Sequence, residues 1–185
     1  KTYFNDVQNE KVIIDFTPTY LYSNLCAERI YKSLGSKMKF IIVLRDPVNR
    51  AYSHYNHSVR DGHENHDFKK ALGLEFQRIQ EFKDKDDFLS ELRCSYISQG
   101  LYCNMLKSYL RFYDLENFLI INFDKEVVSN MGQTINKLSN FLNVDLSNLN
   151  IKVHSNKSGK FKYKLLQDLM LNDNFLRKFF KIFVP

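Results

Sequence analysis

The sequence predicts an α/β fold, a parallel sheet flanked by helices. Three short apolar runs, at 12–16, 39–44 and 118–123, have the length and the β-branched or aromatic content of buried strands. Between them lie amphipathic stretches of helical length, and strands that alternate with helices build parallel sheets. The chain has 185 residues, 44% of them hydrophobic and 15% aromatic, which is enough for a sizeable core and excludes a disordered polymer. A single domain over residues 1–185 is expected.

The elements follow in order. The run Val12-Ile13-Ile14-Asp15-Phe16 reads as a strand that ends at Thr17-Pro18, because proline cannot continue a central ladder. Residues 24–34 read as a helix stopped by Gly35. Residues 39–44 form the second strand. Asp46 is a suitable N-cap and Pro47 a suitable first residue for a helix that runs to about Arg60. On that helix Val48, Ala51, Tyr52, Tyr55 and Val59 make an apolar stripe for the core. Arg50, Ser53, His54 and His57 lie off the stripe, available to solvent or ligand.

Residues 61–67 are polar and contain Gly62, which suits a loop; 68–82 is helical in pattern and 83–87 is a charged break. Residues 96–113 read as one helix, kinked or started near Gly100. The third strand spans 118–123. A helix over 131–142 places Ile135, Leu138 and Leu142 on one face, and 143–150 is a polar connection. Two short amphipathic helices, 161–170 and 175–183, complete the chain. Three strands are few for such a sheet, and the chain begins at Lys1 without an initiator Met, so N-terminal truncation is expected.

The formal charge of +6 suits an anionic ligand such as a nucleotide, a phosphate or a sulfated glycan, and nucleic acid equally. No apolar run approaches the length of about 20 residues that crosses a bilayer. Cys26, Cys94 and Cys103 lack metal-ligand spacing and are too few and too odd for a disulfide framework. They read as reduced thiols, although Cys94 and Cys103 could pair in a secreted chain. His54 and His57, like His63 and His66, are three apart. With no cysteine near, they read as surface or cleft-lining residues and no metal site is expected.

The segment Val43-Leu44-Arg45-Asp46-Pro47 carries the chemistry. It places an Arg at the carboxyl end of a strand, where open α/β sheets bind ligands. The guanidinium is a rigid fork suited to phosphate oxygens, Ser53 adds a hydroxyl, and the helix N-terminus adds free N–H groups. The residues equally allow a strand–turn–helix whose Arg45 pairs with a carboxylate. Near the C-terminus, Lys157-Ser158-Gly159-Lys160 is a basic loop that suits either a ligand or a solvated helix cap. Among the aromatic residues at 96–113, Tyr102 is the ligand candidate and the others suit a core.

In order and spacing, Val43-Leu44-Arg45-Asp46-Pro47, then Arg50-Ala51, Ser53 and Tyr55, resembles the 3′-phosphate motif of sulfotransferases that use 3′-phosphoadenosine 5′-phosphosulfate (PAPS). Asp15-Phe16-Thr17-Pro18-Thr19-Tyr20 is similar to the family's acidic-x-Thr/Ser-Pro-x-Tyr segment, with Phe16 where many glycan enzymes have Lys. Ser98-Gln99-Gly100-Leu101-Tyr102 resembles the segment under the nucleotide. Phe141-Leu142-Asn143-Val144 resembles a Phe-Leu-Gly-hydrophobic helix end, with Asn for Gly.

The resemblance implies a P-loop nucleoside-kinase-like sulfotransferase fold and transfer of a sulfuryl group from PAPS to a hydroxyl or amine. It implies that Arg45 and Ser53 contact the 3′-phosphate, that Lys157, Ser158, Gly159 and Lys160 close over that end of the donor, and that Tyr102 lies near the nucleotide. It implies no metal, a small-molecule or glycan acceptor rather than nucleic acid, and no membrane segment. The absence of a late cysteine pair leans towards a cytoplasmic, bacterial-type enzyme, with the Golgi lumen as the alternative if an anchor precedes Lys1. The family's 5′-phosphosulfate loop and usual catalytic base have no counterpart here. No base is assigned, and residues 1–185 alone are expected to be inactive. The other readings are a P-loop-type nucleotide kinase, which lacks its Walker loop here, and a non-catalytic polyanion-binding module.

Overall fold

The computed structural model describes residues 7–149. In chain order these form α1 (Cys26–Leu34), β1 (Phe40–Leu44), α2 (Pro47–Arg60), α3 (Phe68–Asp84) and α4 (Phe88–Cys94). There follow a 3₁₀ turn (Ser98–Gly100), α5 (Tyr102–Tyr109), a second 3₁₀ turn (Leu115–Asn117), β2 (Phe118–Asn122), a π-helical turn (Phe123–Val128) and α6 (Met131–Leu142). The described residues divide into two compact units, 7–45 with 102–149, and 46–101.

The first unit is α/β with a parallel sheet. β1 and β2 pair in parallel, Phe40 opposite Phe118 and Leu44 opposite Asn122. Both strands are apolar and β-branched because both pack against helices. The stacked rings of Phe40 and Phe118 meet Tyr109 and Tyr113 edge-on, and Ala27 of α1 fills the space beside these tyrosines. α1 ends where expected: Gly35 takes a φ of 78° and returns its N–H to the Tyr31 carbonyl. At the end of α6, Asn143 adopts the left-handed conformation (φ 57°), the one position type where Asn substitutes readily for Gly.

The second unit is helical. Asp46 caps α2 by accepting the Asn49 N–H at 2.8 Å, with Pro47 at the first helical position. Asp67 and Asp87 cap α3 and α4 in the same way. The core gathers Ala51, Ala71 and Tyr96, with Tyr55, Phe68 and Leu72 packed against it.

Several expectations are corrected. Residues 12–16 form no strand: they pair with no neighbour among the described residues, and Phe16 is 89% exposed. Local bonds hold the segment instead, with Thr17 and Tyr20 hydroxyls donating to the two Asp15 oxygens. α4 was not anticipated; its seven residues follow directly on the charged break. Of the two expectations for 96–113, the start near Gly100 holds and the kinked single helix does not: a 3₁₀ turn at Ser98–Gly100 precedes α5, which begins at Tyr102 and ends at Tyr109.

The buried face of α2 is also rotated from the predicted stripe. Ala51 and Tyr55 of the predicted stripe reach the core, but Val48 is 69% exposed and the polar Ser58 is buried. The cause is polar: Ser58 donates to the Arg93 carbonyl at 2.9 Å, and Arg50 Nη2 donates to the Tyr96 carbonyl. These bonds turn the polar side of the helix inward.

Candidate donor-binding site

Arg45 follows the last residue of β1, in the first unit. Its backbone carbonyl accepts the Tyr102 hydroxyl at 2.9 Å, which clamps the end of the strand to the first turn of α5. The guanidinium lies over the Phe123 ring, 5.4 Å from its centroid. Asp124 Oδ1 stands 3.4 Å from Nε. That contact is an ion pair without hydrogen-bond alignment, since Nε is buried and makes no hydrogen bond. Both readings of Arg45 thus meet at one residue: a carboxylate stands beside it, yet its Nη atoms donate to no side chain or backbone among the described residues. The arrangement can present a positively charged fork to an anion.

Ser53 belongs to the second unit, on the exposed side of α2, and its hydroxyl makes no hydrogen bond among the described residues. Arg50 and His54, one helical turn apart, face inward. Arg50 Nη1 approaches His54 Nδ1 at 3.5 Å, and the His54 ring meets Tyr96 edge-on at 5.0 Å. Burial, then the charges of Arg50 and His57, push the His54 pKa down to about 4, so the ring is neutral at pH 7.

Segment 96–100 is tied down by two buried glutamates. Glu75 accepts the Ile97 N–H (2.6 Å), the Ser98 N–H (2.8 Å) and the Ser98 hydroxyl (2.6 Å). Glu64 accepts from Arg78 Nη1 (2.5 Å), the Tyr96 hydroxyl (3.0 Å) and the His66 N–H (2.9 Å). Burial alone would raise the Glu64 pKa, but Arg78, the His66 N–H and Tyr96 together hold it below the usual carboxylate value. Gly100 is required by close approach, because a Cβ there would lie 3.2 Å from the Pro47 Cβ.

Of the predicted site residues, Arg45 and Tyr102 are brought together and Ser53 stands in the other unit. Lys157, Ser158, Gly159 and Lys160 lie outside the described residues. Tyr96, Tyr109 and Tyr113 are buried in cores. Among the described residues no three His, Cys, Asp or Glu side chains converge as metal ligands. No helix among them is long and apolar enough to cross a membrane.

A family model described as a sulfotransferase domain matches residues 16–170, a span that includes the Arg45–Ser53 segment and reaches into both units. The chain belongs to the sulfotransferase domain family. Its relatives include heparan sulfate glucosamine 3-O-sulfotransferase 5 of Mus musculus, 26% identical over 137 residues, which are 73% of this chain and 37% of that protein. Heparan sulfate glucosamine 3-O-sulfotransferase 3B1 of Mus musculus is 26% identical over 132 residues, 71% of this chain and 31% of that protein. The chain therefore spans about a third of the length of these relatives. A crystal structure of a sulfotransferase from Alicyclobacillus acidocaldarius matches with a TM-score of 0.67 and 28% identity, over 82% of this chain and 59% of that one.

Within this sulfotransferase domain, Phe123 and Asp124 are the site neighbours that the sequence reading missed. The signal lay in the register. Leu44 pairs with Asn122 across a parallel ladder, so the residues one step beyond each strand, Arg45 and Phe123, emerge at the same sheet edge. Only strand order, which spacing does not reveal, converts the run Asn122-Phe123-Asp124 into a neighbour of Arg45.

Proposed function

We propose that this chain carries the 3′-phosphate end of the donor site of a PAPS-dependent sulfotransferase, acting on a hydroxyl or amine acceptor. Arg45 would form charge-assisted hydrogen bonds to the 3′-phosphate through its Nη atoms. The Tyr102 hydroxyl holds the Arg45 backbone carbonyl. Donor chemistry and residues fit: a phosphate dianion needs hydrogen-bond donors and positive charge, and Arg45 offers both. Bound PAPS supplies a sulfuryl group already activated on the 5′-phosphate. In the transfer, the acceptor heteroatom forms a bond to sulfur, the bond from sulfur to the 5′-phosphate oxygen breaks, and the acceptor proton passes to a base. No residue described here is assigned as that base. The heparan sulfate glucosamine relatives and the charge of +6 support an acidic carbohydrate as acceptor.

The observation that carries this reading is Arg45: an arginine held at the carboxyl end of β1, in the motif order of the family, with its Nη donors uncommitted. Calorimetric titration tests it. Adenosine 3′,5′-bisphosphate should bind at least about tenfold more tightly than adenosine 5′-monophosphate, the worth of a charge-assisted bond. Arg45→Ala should erase that difference. Equal binding of the two nucleotides, or a difference that survives Arg45→Ala, would overturn the assignment.

A further inference from the structure

The turn that carries Asp124 is braced on every side. Asn122 caps it by accepting the Lys125 N–H at 2.9 Å, and the Ser129 hydroxyl donates to the Asp124 carbonyl at 2.8 Å. Glu126 accepts the Asn122 N–H at 2.6 Å and pairs with Lys137 of α6, while the Thr134 hydroxyl donates to the Glu126 carbonyl at 2.8 Å. A π-helical turn is an uncommon geometry that concentrates at functional sites. Here the sheet and α6 over-determine it, and it delivers one ring and one carboxylate to Arg45.

From this geometry we propose that Asp124 is a positioning residue: with Phe123 beneath the guanidinium and Tyr102 on the backbone, it fixes Arg45 so that the Nη edge is presented to a phosphate. This inference rests on the assignment of Arg45 to the 3′-phosphate. Two effects of Asp124 oppose each other. Its charge repels an incoming phosphate, and its contact at Nε restrains a side chain that otherwise has many rotamers. The side chains of Arg45 and Asp124 are 36% and 45% exposed, so solvent screens the repulsion. The contact itself lies at Nε, which is buried, so solvent screens the restraint less than it screens the repulsion. Positioning therefore wins, and it acts on the 3′-phosphate alone, because Asp124 meets Arg45 at Nε and accepts no hydrogen bond from the Nη atoms.

The test is the ratio of affinities for adenosine 3′,5′-bisphosphate and adenosine 5′-monophosphate, measured by calorimetry on the wild-type chain, Asp124→Asn, Asp124→Ala, Arg45→Ala and the double variant Arg45→Ala/Asp124→Ala. Loss of the Asp124 charge should lower the ratio about threefold, with monophosphate affinity and the melting temperature unchanged. The double variant should discriminate no worse than Arg45→Ala, and Asp124→Glu should recover part of the ratio. If Arg45→Ala abolishes discrimination while both Asp124 variants keep or increase it, the positioning role is wrong and the Arg45 assignment stands. A parallel loss of affinity for both nucleotides with a lower melting temperature would make Asp124 structural and also overturn the proposal. If Arg45→Ala changes nothing, the underlying assignment falls and the inference falls with it.

Discussion

The Tyr96 hydroxyl donates to Glu64 Oε2 at 3.0 Å, between two residues that are both shut away from solvent. Arg78 closes the cluster from its partly exposed side. A buried carboxylate so enclosed is stable only while its cation is present. Arg78→Met should therefore destabilise the second unit by about 3 kcal/mol, as expected when one partner of a buried pair is lost. Tyr96→Phe, which removes one of several partners, should cost about 1 kcal/mol. Urea unfolding followed by circular dichroism measures both.

The same cluster sets an acid limit. The Glu64 pKa is lowered in the fold, so its contribution is complete above the unfolded-chain value of 4.5 and disappears as pH falls through the lower folded value. The urea midpoint should drop below pH 4.5 in the wild type and less steeply in Glu64→Gln, whose neutral side chain has no such proton to bind.

His54 gives a linkage of the same sign in a milder range. Its pKa falls from 6.5 to about 4 in the fold, so between those values the unfolded chain takes up a proton that the folded chain refuses. Stability should decline as pH is lowered from 6.5 towards 4. Replacing His54 by Gln should flatten that decline. Paired urea titrations at pH 7 and pH 5 read the difference, and an equal slope in both proteins would show that His54 titrates normally.

Glu75 gathers two backbone N–H groups and one hydroxyl of segment 97–98. Glu75→Ala strands those donors, at about 1–3 kcal/mol for an unsatisfied buried group. Hydrogen exchange should show the Ile97 and Ser98 amides released ahead of the α3 amides.

Tyr102→Phe keeps the ring of α5 in place and removes only the bond to the Arg45 carbonyl. Stability should fall by about 1 kcal/mol, the worth of that bond, and the calorimetric preference for the 3′-phosphate should fall with it by at most about fivefold.

Local rules were legible wherever a residue's role was set by its immediate neighbours. Asp46 and Pro47 start α2 and Gly35 stops α1 as their chemistry requires. The β1 and β2 runs formed strands because both found a partner. Residues 12–16 have the same composition and no ladder partner among the described residues, and composition alone cannot supply one. The α2 face was misread because hydrophobic periodicity ignores side chains such as Ser58 and Arg50, which bury themselves against backbone carbonyls. At the candidate site, Arg45 is singled out by a motif that sits within residues 43–55. Asp124 is not, because its proximity depends on the pairing of strands about 80 residues apart.

Burial pushes the Cys94 thiol up to about 11, while Cys103 stands exposed on α5. The molecule thereby carries its own pair of clocks. A maleimide meets Cys103 at the rate set by the reagent, but meets Cys94 only when the second unit opens. With the half-buried Cys26 replaced, the lag between alkylation of Cys103 and of Cys94 times the breathing of the Glu64 and Glu75 clusters.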